Sequence, residues 1–77
     1  MPDNTRYARV HQHRIGWIAV PFYHLKAGDT FRIFEEDDTL VVDENGDSVY
    51  RALSDAYFYK GVWRVNQIAE RYVDEDL

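Results

Sequence analysis

Two glycine turns, Asn45-Gly46 and Lys60-Gly61, stand fifteen residues apart in a chain of 77, and Gly28-Asp29 precedes both. Asn-Gly is the favoured pair for a two-residue type I′ hairpin, because that turn needs positive φ at both central positions. Glycine takes such φ values without steric cost, and Asp beside it bonds the nearby backbone. Turns this close leave only short segments between them. Those segments alternate apolar and polar residues or are rich in Val, Tyr, Phe and Trp, the pattern of strands.

Taken in order, the segments predict five short strands with close turns. Arg14 to Phe22 reads as the first strand, apolar on both faces: Ile18, Val20 and Phe22 on one, Ile15, Trp17 and Ala19 on the other. Pro21 marks an edge or a strand end, since it lacks the donor a central strand needs. The turn Tyr23 to Asp29 follows, with Leu25 expected to plug one end of the core. Thr30 to Glu35 puts Phe31 and Ile33 on one face, and Leu40 to Asp43 is the third strand. A two-residue turn at Asn45-Gly46 sets Val42 opposite Val49. It also opposes Glu44 to Asp47, a like-charge conflict that leaves room for a longer loop. Ser48 to Leu53 is the fourth strand. Around Lys60-Gly61, the same logic pairs Phe58 with Trp63 and Ala56 with Val65, while Tyr57 and Arg64 share the other face, close enough for a cation–π contact. Gln67 to Val73 is ambiguous; Ile68 and Tyr72 at i, i+4 favour one or two helical turns.

These segments predict a mainly β fold: a small five-stranded SH3-like barrel or a bent antiparallel sheet, with a short C-terminal helix, and an OB-like barrel as second choice. Residues 1–13 read as a flexible arm, 14–73 as a single small β domain and 74–77 as an acidic tail. Phe31, Ile33, Val42, Val49 and Trp63 are the expected core. With no cysteine, apolar packing must hold so short a chain together, and 16% aromatic residues supply the means.

The same composition excludes much chemistry. Without cysteine there is no thiol nucleophile and no cysteine-based zinc site. Ser48 and Ser54 sit in turns, and no Gly-x-Ser-x-Gly elbow surrounds either. No glycine-rich phosphate loop occurs. His11 and His13 share a strand face and His24 is a third imidazole, but two histidines in a polar segment are ordinarily just solvated. Asp43, Asn45 and Asp47 alternate as calcium ligands do, yet Gly46 and Ser54 fall where an EF-hand loop needs other residues. The reading is therefore not an enzyme, with no cofactor and no metal. A net charge of −5 opposes direct nucleic-acid binding, because affinity for phosphates comes from cations. No apolar run approaches the about 20 residues of a membrane helix, and residues 1–13 lack the apolar stretch of a secretory leader.

The phrase Phe22-x-x-Leu25-x-x-Gly28-Asp29-x-Phe31-Arg32, followed by Tyr50-Arg51-Ala52-Leu53-Ser54-Asp55 and Gly61-Val62-Trp63, resembles small proteins encoded by bacteriophages, especially those infecting actinobacteria. The resemblance spans roughly Phe22 to Val65 and carries no catalytic signature. It implies a phage protein acting in the cytoplasm of an infected bacterium, aimed at a host target.

An absence of chemistry and a surplus of aromatics point to binding. Tyr and Trp are the usual anchors of protein interfaces. The expected partner is a host or phage protein, or a second copy of the chain. Tyr57, Tyr59 and Arg64 on the second hairpin are the candidate anchors. Glu35, Glu36, Asp37 and Asp38 are the candidate steering charges, or, with Asp43, Glu44, Asp47 and the tail acids Asp74, Glu75 and Asp76, an imitation of a phosphate track.

Overall fold

The segment Tyr7-Ala8-Arg9-Val10-His11-Gln12 alternates small apolar residues with large polar or aromatic ones, and it forms strand β1 (Tyr7–Gln12), paired on both sides within a sheet. In the computed structural model, which describes residues 6–70, β1 is flanked by β2 (Gly16–Pro21) and β3 (Thr30–Phe34). Beyond β3 lie β4 (Tyr50–Ala52) and then the last of the described strands, β7 (Gln67–Ala69). The sheet order is β2-β1-β3-β4-β7, and every neighbouring pair is antiparallel. The strands between, β5 (Tyr57–Tyr59) and β6 (Val62–Arg64), form a separate two-stranded hairpin. The protein is mainly β, as the sequence predicts.

Register fixes the core. Ala8 stands between Val20 and Ile33, and Val10 between Ile18 and Phe31, so these side chains share the inner face of the sheet. Phe31 opposite Tyr50 extends that face onto β4. β2 and β3 are both antiparallel to β1 and so run in the same direction, which obliges the connection between them to cross the inner face. It does so through a 3₁₀ turn, Phe22–His24, and buries Phe22 and Leu25. Leu25 is 1% exposed and plugs the core as expected. The crossing is stitched down by its backbone. Gly28 N–H donates to the Ala52 carbonyl at 2.8 Å, Ala52 N–H donates to the Asp29 carbonyl at 2.8 Å, and Ala56 N–H donates to the Leu25 carbonyl at 2.9 Å. Gly28 has φ 95, which a side chain would resist. The buried set is Ala8, Val10, Phe22, Leu25, Phe31, Ile33, Tyr50 and Ala52, with Val20, Val41, Ala56, Trp63 and Val65 packed against it. The core thus lies between the sheet and a cover made by the crossing segment and the base of the β5–β6 hairpin.

The outer face of the sheet is built differently. His11 packs on Trp17 (ring centroids 4.9 Å) and Tyr7 stacks on Phe34 (5.4 Å). The Arg32 guanidinium lies 4.5 Å over the Trp17 ring and that of Arg9 lies 4.8 Å over Phe34. Cation–π contacts, rather than apolar packing, fill this face.

Five expectations are corrected. The sheet is open, with β2 and β7 at its two edges, so neither an SH3-like nor an OB-like barrel is closed; the bent antiparallel sheet is the alternative compatible with this architecture. The flexible arm of residues 1–13 does not extend over Tyr7–Gln12, which pairs on both sides. The short helix expected from Gln67 is replaced by β7, whose backbone pairs with β4; Arg71 to Val73 and the tail 74–77 lie outside the described residues. Leu40 to Asp43 is not a strand; it meets β3 through a bridge of Phe34 with Leu40 and a bond from Val41 N–H to the Ile33 carbonyl. Val42 is not a core residue but 54% exposed. The reason lies at the end of β3: Val41 N–H bonds the carbonyl of Ile33, an inward residue, so Val41 packs inward and by alternation Val42 points out. The turn differs too: Asp43 N–H bonds the Asp47 carbonyl, so three residues, not two, close the loop.

Candidate protein-interaction surface

Lys60 and Gly61 have φ 51 and 83, so both central positions of the second turn are left-handed, as type I′ requires. The pairing that follows is Tyr57 with Arg64, Phe58 with Trp63 and Tyr59 with Val62, the register expected from the sequence. Alternation then sorts the side chains. Ala56, Trp63 and Val65 pack against the core, and Phe58 meets Trp63 edge-on at 5.5 Å. Trp63 also meets Tyr23 of the 3₁₀ turn at 5.6 Å, which seats the hairpin on the crossing segment. Tyr57, Tyr59 and Arg64 are left on the opposite side, and all three are exposed.

The local electrostatics differ in one respect from expectation. Arg64 lies over Tyr59, the diagonal neighbour, with Cζ 5.9 Å from the ring centre, and not over Tyr57. Lys60 approaches the same ring, with Nζ at 5.4 Å. The Tyr57 hydroxyl donates to Asn66 Oδ1 at 3.1 Å, which orients its ring while leaving it 40% exposed. The result is two exposed tyrosines with two cations around one of them. Tyr23 and Phe58, 53% and 54% exposed, continue the aromatic surface toward the crossing segment.

The acidic turn Glu35 to Asp38 leaves the end of β3 beside the start of β1, and half of it is engaged within the chain. Glu35 pairs with Arg6 at 3.1 Å, and Asp38 accepts from the Tyr7 hydroxyl at 2.6 Å. Asp37 accepts from Thr39, whose hydrogen bonds hold its carboxyl below the ordinary carboxylate value. Glu36 and Asp37 are exposed.

The Asp43–Asp47 loop is organised around a side chain of its own. Asp43 Oδ1 accepts from the Asn45 and Asp47 N–H groups, each at 2.9 Å. The Tyr50 hydroxyl shares its proton between Asp43 Oδ2 at 3.1 Å and the Asp47 carbonyl at 3.0 Å. The carboxylate that resembled a calcium ligand is therefore the hub of a turn. Among the described residues no group of three or more acidic or histidine side chains is placed to hold a metal ion. His11 is packed on Trp17.

A feature not foreseen from sequence is an open groove of about 560 Å³ over the inner edge of the sheet, floored by Val10, Val20, Leu25 and Ala56 and rimmed by His24 and Lys26. Its walls come from four separate stretches of chain, so no local signal could have announced it. Among the described residues no helix is long and apolar enough to cross a membrane. By architecture the chain is an open five-stranded antiparallel sheet with a crossing segment and a hairpin over one face. No protein family, curated protein or solved structure matches it.

Proposed function

We propose that this is a small interaction protein of the phage type that binds a host or phage protein through the outward side of the β5–β6 hairpin, without turnover, cofactor or metal. The observation that carries the reading is the placement of Tyr57, Tyr59 and Arg64 together on the side of the hairpin that the core does not use. Tyrosines contribute large amphipathic area at little entropic cost, and arginine beside them adds directed hydrogen bonds. The exposed acids Glu36 and Asp37 set the approach of a basic partner rather than its hold. The phage assignment rests on the phrase Phe22 to Arg32 and those that follow it.

The test is affinity capture from a bacterial lysate, repeated with the identified partner in purified form. The double substitution Tyr57→Ser, Tyr59→Ser abolishes capture and leaves the melting temperature nearly unchanged. Capture that survives the change, or a collapse in stability, removes the hairpin from consideration.

A second reading, self-assembly, has its own support. Among the described residues β2 pairs on one side only, as an edge of six residues that carries no charge, whereas natural edges are usually guarded by charge or brevity. Light scattering distinguishes the two: a dimer that Ala19→Lys converts to a monomer favours self-assembly, and a monomer at all concentrations rejects it.

A further inference from the structure

From Ala56 to Ala69 the chain holds Lys60 and Arg64 and no acid, although it carries 14 acids to 9 lysines and arginines in all. Both cations are exposed, and both gather at the ring of Tyr59, itself 52% exposed. Lys60 Nζ lies 5.4 Å and Arg64 Cζ 5.9 Å from its centre. Among the described residues neither cation has a carboxylate partner. The two acids that bound the segment serve other groups: Asp55 accepts from Ala27 N–H at 3.0 Å, and Glu70 pairs with Arg51 at 3.4 Å. Cation–π contact positions a cation and leaves its charge and its N–H donors in place. The hairpin is thus a cationic, aromatic patch on an acidic chain.

We infer that the partner segment seated on this hairpin is acidic, with carboxylates facing Lys60 and Arg64 and apolar side chains between them lying on Tyr57 and Tyr59. The inference rests on the hairpin reading and names the chemistry of its partner. Charge complementarity selects the carboxylates, and the guanidinium fork of Arg64 matches one of them bidentately. Two cations are too few for a nucleic acid, whose affinity needs a row of phosphate contacts; they suit a short segment of protein. The acids invoked for steering sit elsewhere. Glu36 and Asp37 follow the Phe34 end of β3, whereas the base of the hairpin is tied to Leu25 by the Ala56 N–H and to Leu53 by the Asn66 carbonyl, beyond Arg51, the partner of Thr30. The two ends of β3 are about 13 Å apart at strand rise, beyond the roughly 8 Å reach of a charge at physiological salt. A partner basic toward the acidic turn therefore still presents acid to the hairpin.

The probe is a short labelled peptide of Glu and Leu, read by fluorescence anisotropy with the full chain at about 0.15 M salt, where acids elsewhere on the molecule are screened. Beside it stand the same peptide with Gln at every Glu, and oligothymidylate as competitor. The Glu peptide is expected to bind about fivefold more tightly than its Gln counterpart or better. Lys60→Glu, Arg64→Glu weakens it about tenfold, because two attractions become repulsions. Lys60→Gln, Arg64→Gln, which only removes them, weakens it about threefold, and both double variants melt within a few degrees of the parent. Equal binding of the Gln peptide, binding that survives the charge reversal, or competition by oligothymidylate as strong as that of unlabelled Glu peptide would each overturn the inference. Its failure is distinct from failure of the reading beneath it. Capture of the purified partner that is lost with Tyr57→Ser, Tyr59→Ser yet kept under charge reversal overturns the acidic segment alone. Capture kept under both overturns the hairpin reading and the inference with it.

Discussion

At the scale of single residues, Asp43 shows how one side chain sets the length of its own loop. Its carboxylate accepts from two backbone N–H groups and takes part in the Tyr50 hydroxyl bond, so the loop settles at three residues rather than two. The sequence held the hint: the like-charge opposition of Glu44 and Asp47 in the shorter turn. It did not show the Tyr50 hydroxyl arriving from β4, which is a tertiary contact. The core assignments separate as well. Phe31→Ala should cost about 3–5 kcal/mol by cavity formation and largely unfold so small a protein. Val42→Ala should stay within about 0.5 kcal/mol, as at other exposed sites. Denaturant midpoints of the two variants check the contrast, and equal losses would restore Val42 to the core. Tyr50 also carries a pH signature. Burial first, then the Asp43 hydrogen bond and the charges of Asp43 and Asp47, push its hydroxyl from an ordinary value near 10 up to about 12. In that interval the unfolded chain has lost the phenolic proton and the folded chain keeps it, so stability falls as pH rises. The contribution is fully present below pH 10 and lost through pH 12. Melting curves of Tyr50→Phe should lack that alkaline decline.

At the scale of elements, the β5–β6 hairpin was legible from sequence because its determinants are local. Lys60-Gly61 dictates a two-residue turn, and the turn dictates which of Phe58 and Tyr59 faces the core side. Two substitutions measure how far the turn governs the element. Lys60 holds φ 51, a conformation costing L-residues roughly 1–2 kcal/mol that asparagine tolerates better. Lys60→Asn should therefore raise stability by about 0.5 kcal/mol, part of that penalty. Gly61→Ala should cost about 1 kcal/mol by strain alone, since an added Cβ at Gly61 meets no atom within 4 Å. A neutral result in both, by chemical denaturation, would mean the hairpin is positioned by Trp63 and not by its turn. β7 is the opposite case. Ile68 and Tyr72 have helical spacing, but Gln67–Ala69 is decided by the open backbone of β4 beside it: Leu53 N–H bonds the Asn66 carbonyl and Glu70 N–H the Val49 carbonyl. Such pairing overrides local propensity and leaves no trace in the segment itself.

At the scale of the whole molecule, β1 is the strand that joins everything and the one the sequence hid. Its inward residues are only Ala8 and Val10, while Tyr7, Arg9 and His11 occupy the outer face, so the segment reads as polar and loose. Ala8 is small because β2 and β3 close over it on both sides, and it is completely buried. The outward positions are tolerated because the aromatic and guanidinium groups satisfy one another, a pattern that period-two hydrophobicity does not register. Removing β1 would leave β2 without a partner strand and expose Phe31 and Ile33 along the former β1–β3 seam. A chain that begins at His13 should therefore lose its cooperative thermal transition and the near-ultraviolet signal of packed aromatics. The loss is more than the sum of its contacts, because a domain this size has only about 5–15 kcal/mol in reserve and β1 pairs on both edges. If residues 1–13 were an arm, as composition alone indicates, the truncated chain would melt within a few degrees of the full one. The same comparison with Ala8→Leu distinguishes a seam from an edge. A side chain forced between Val20 and Ile33 should cost about 1–3 kcal/mol by overpacking, whereas on a free arm it would cost nothing measurable.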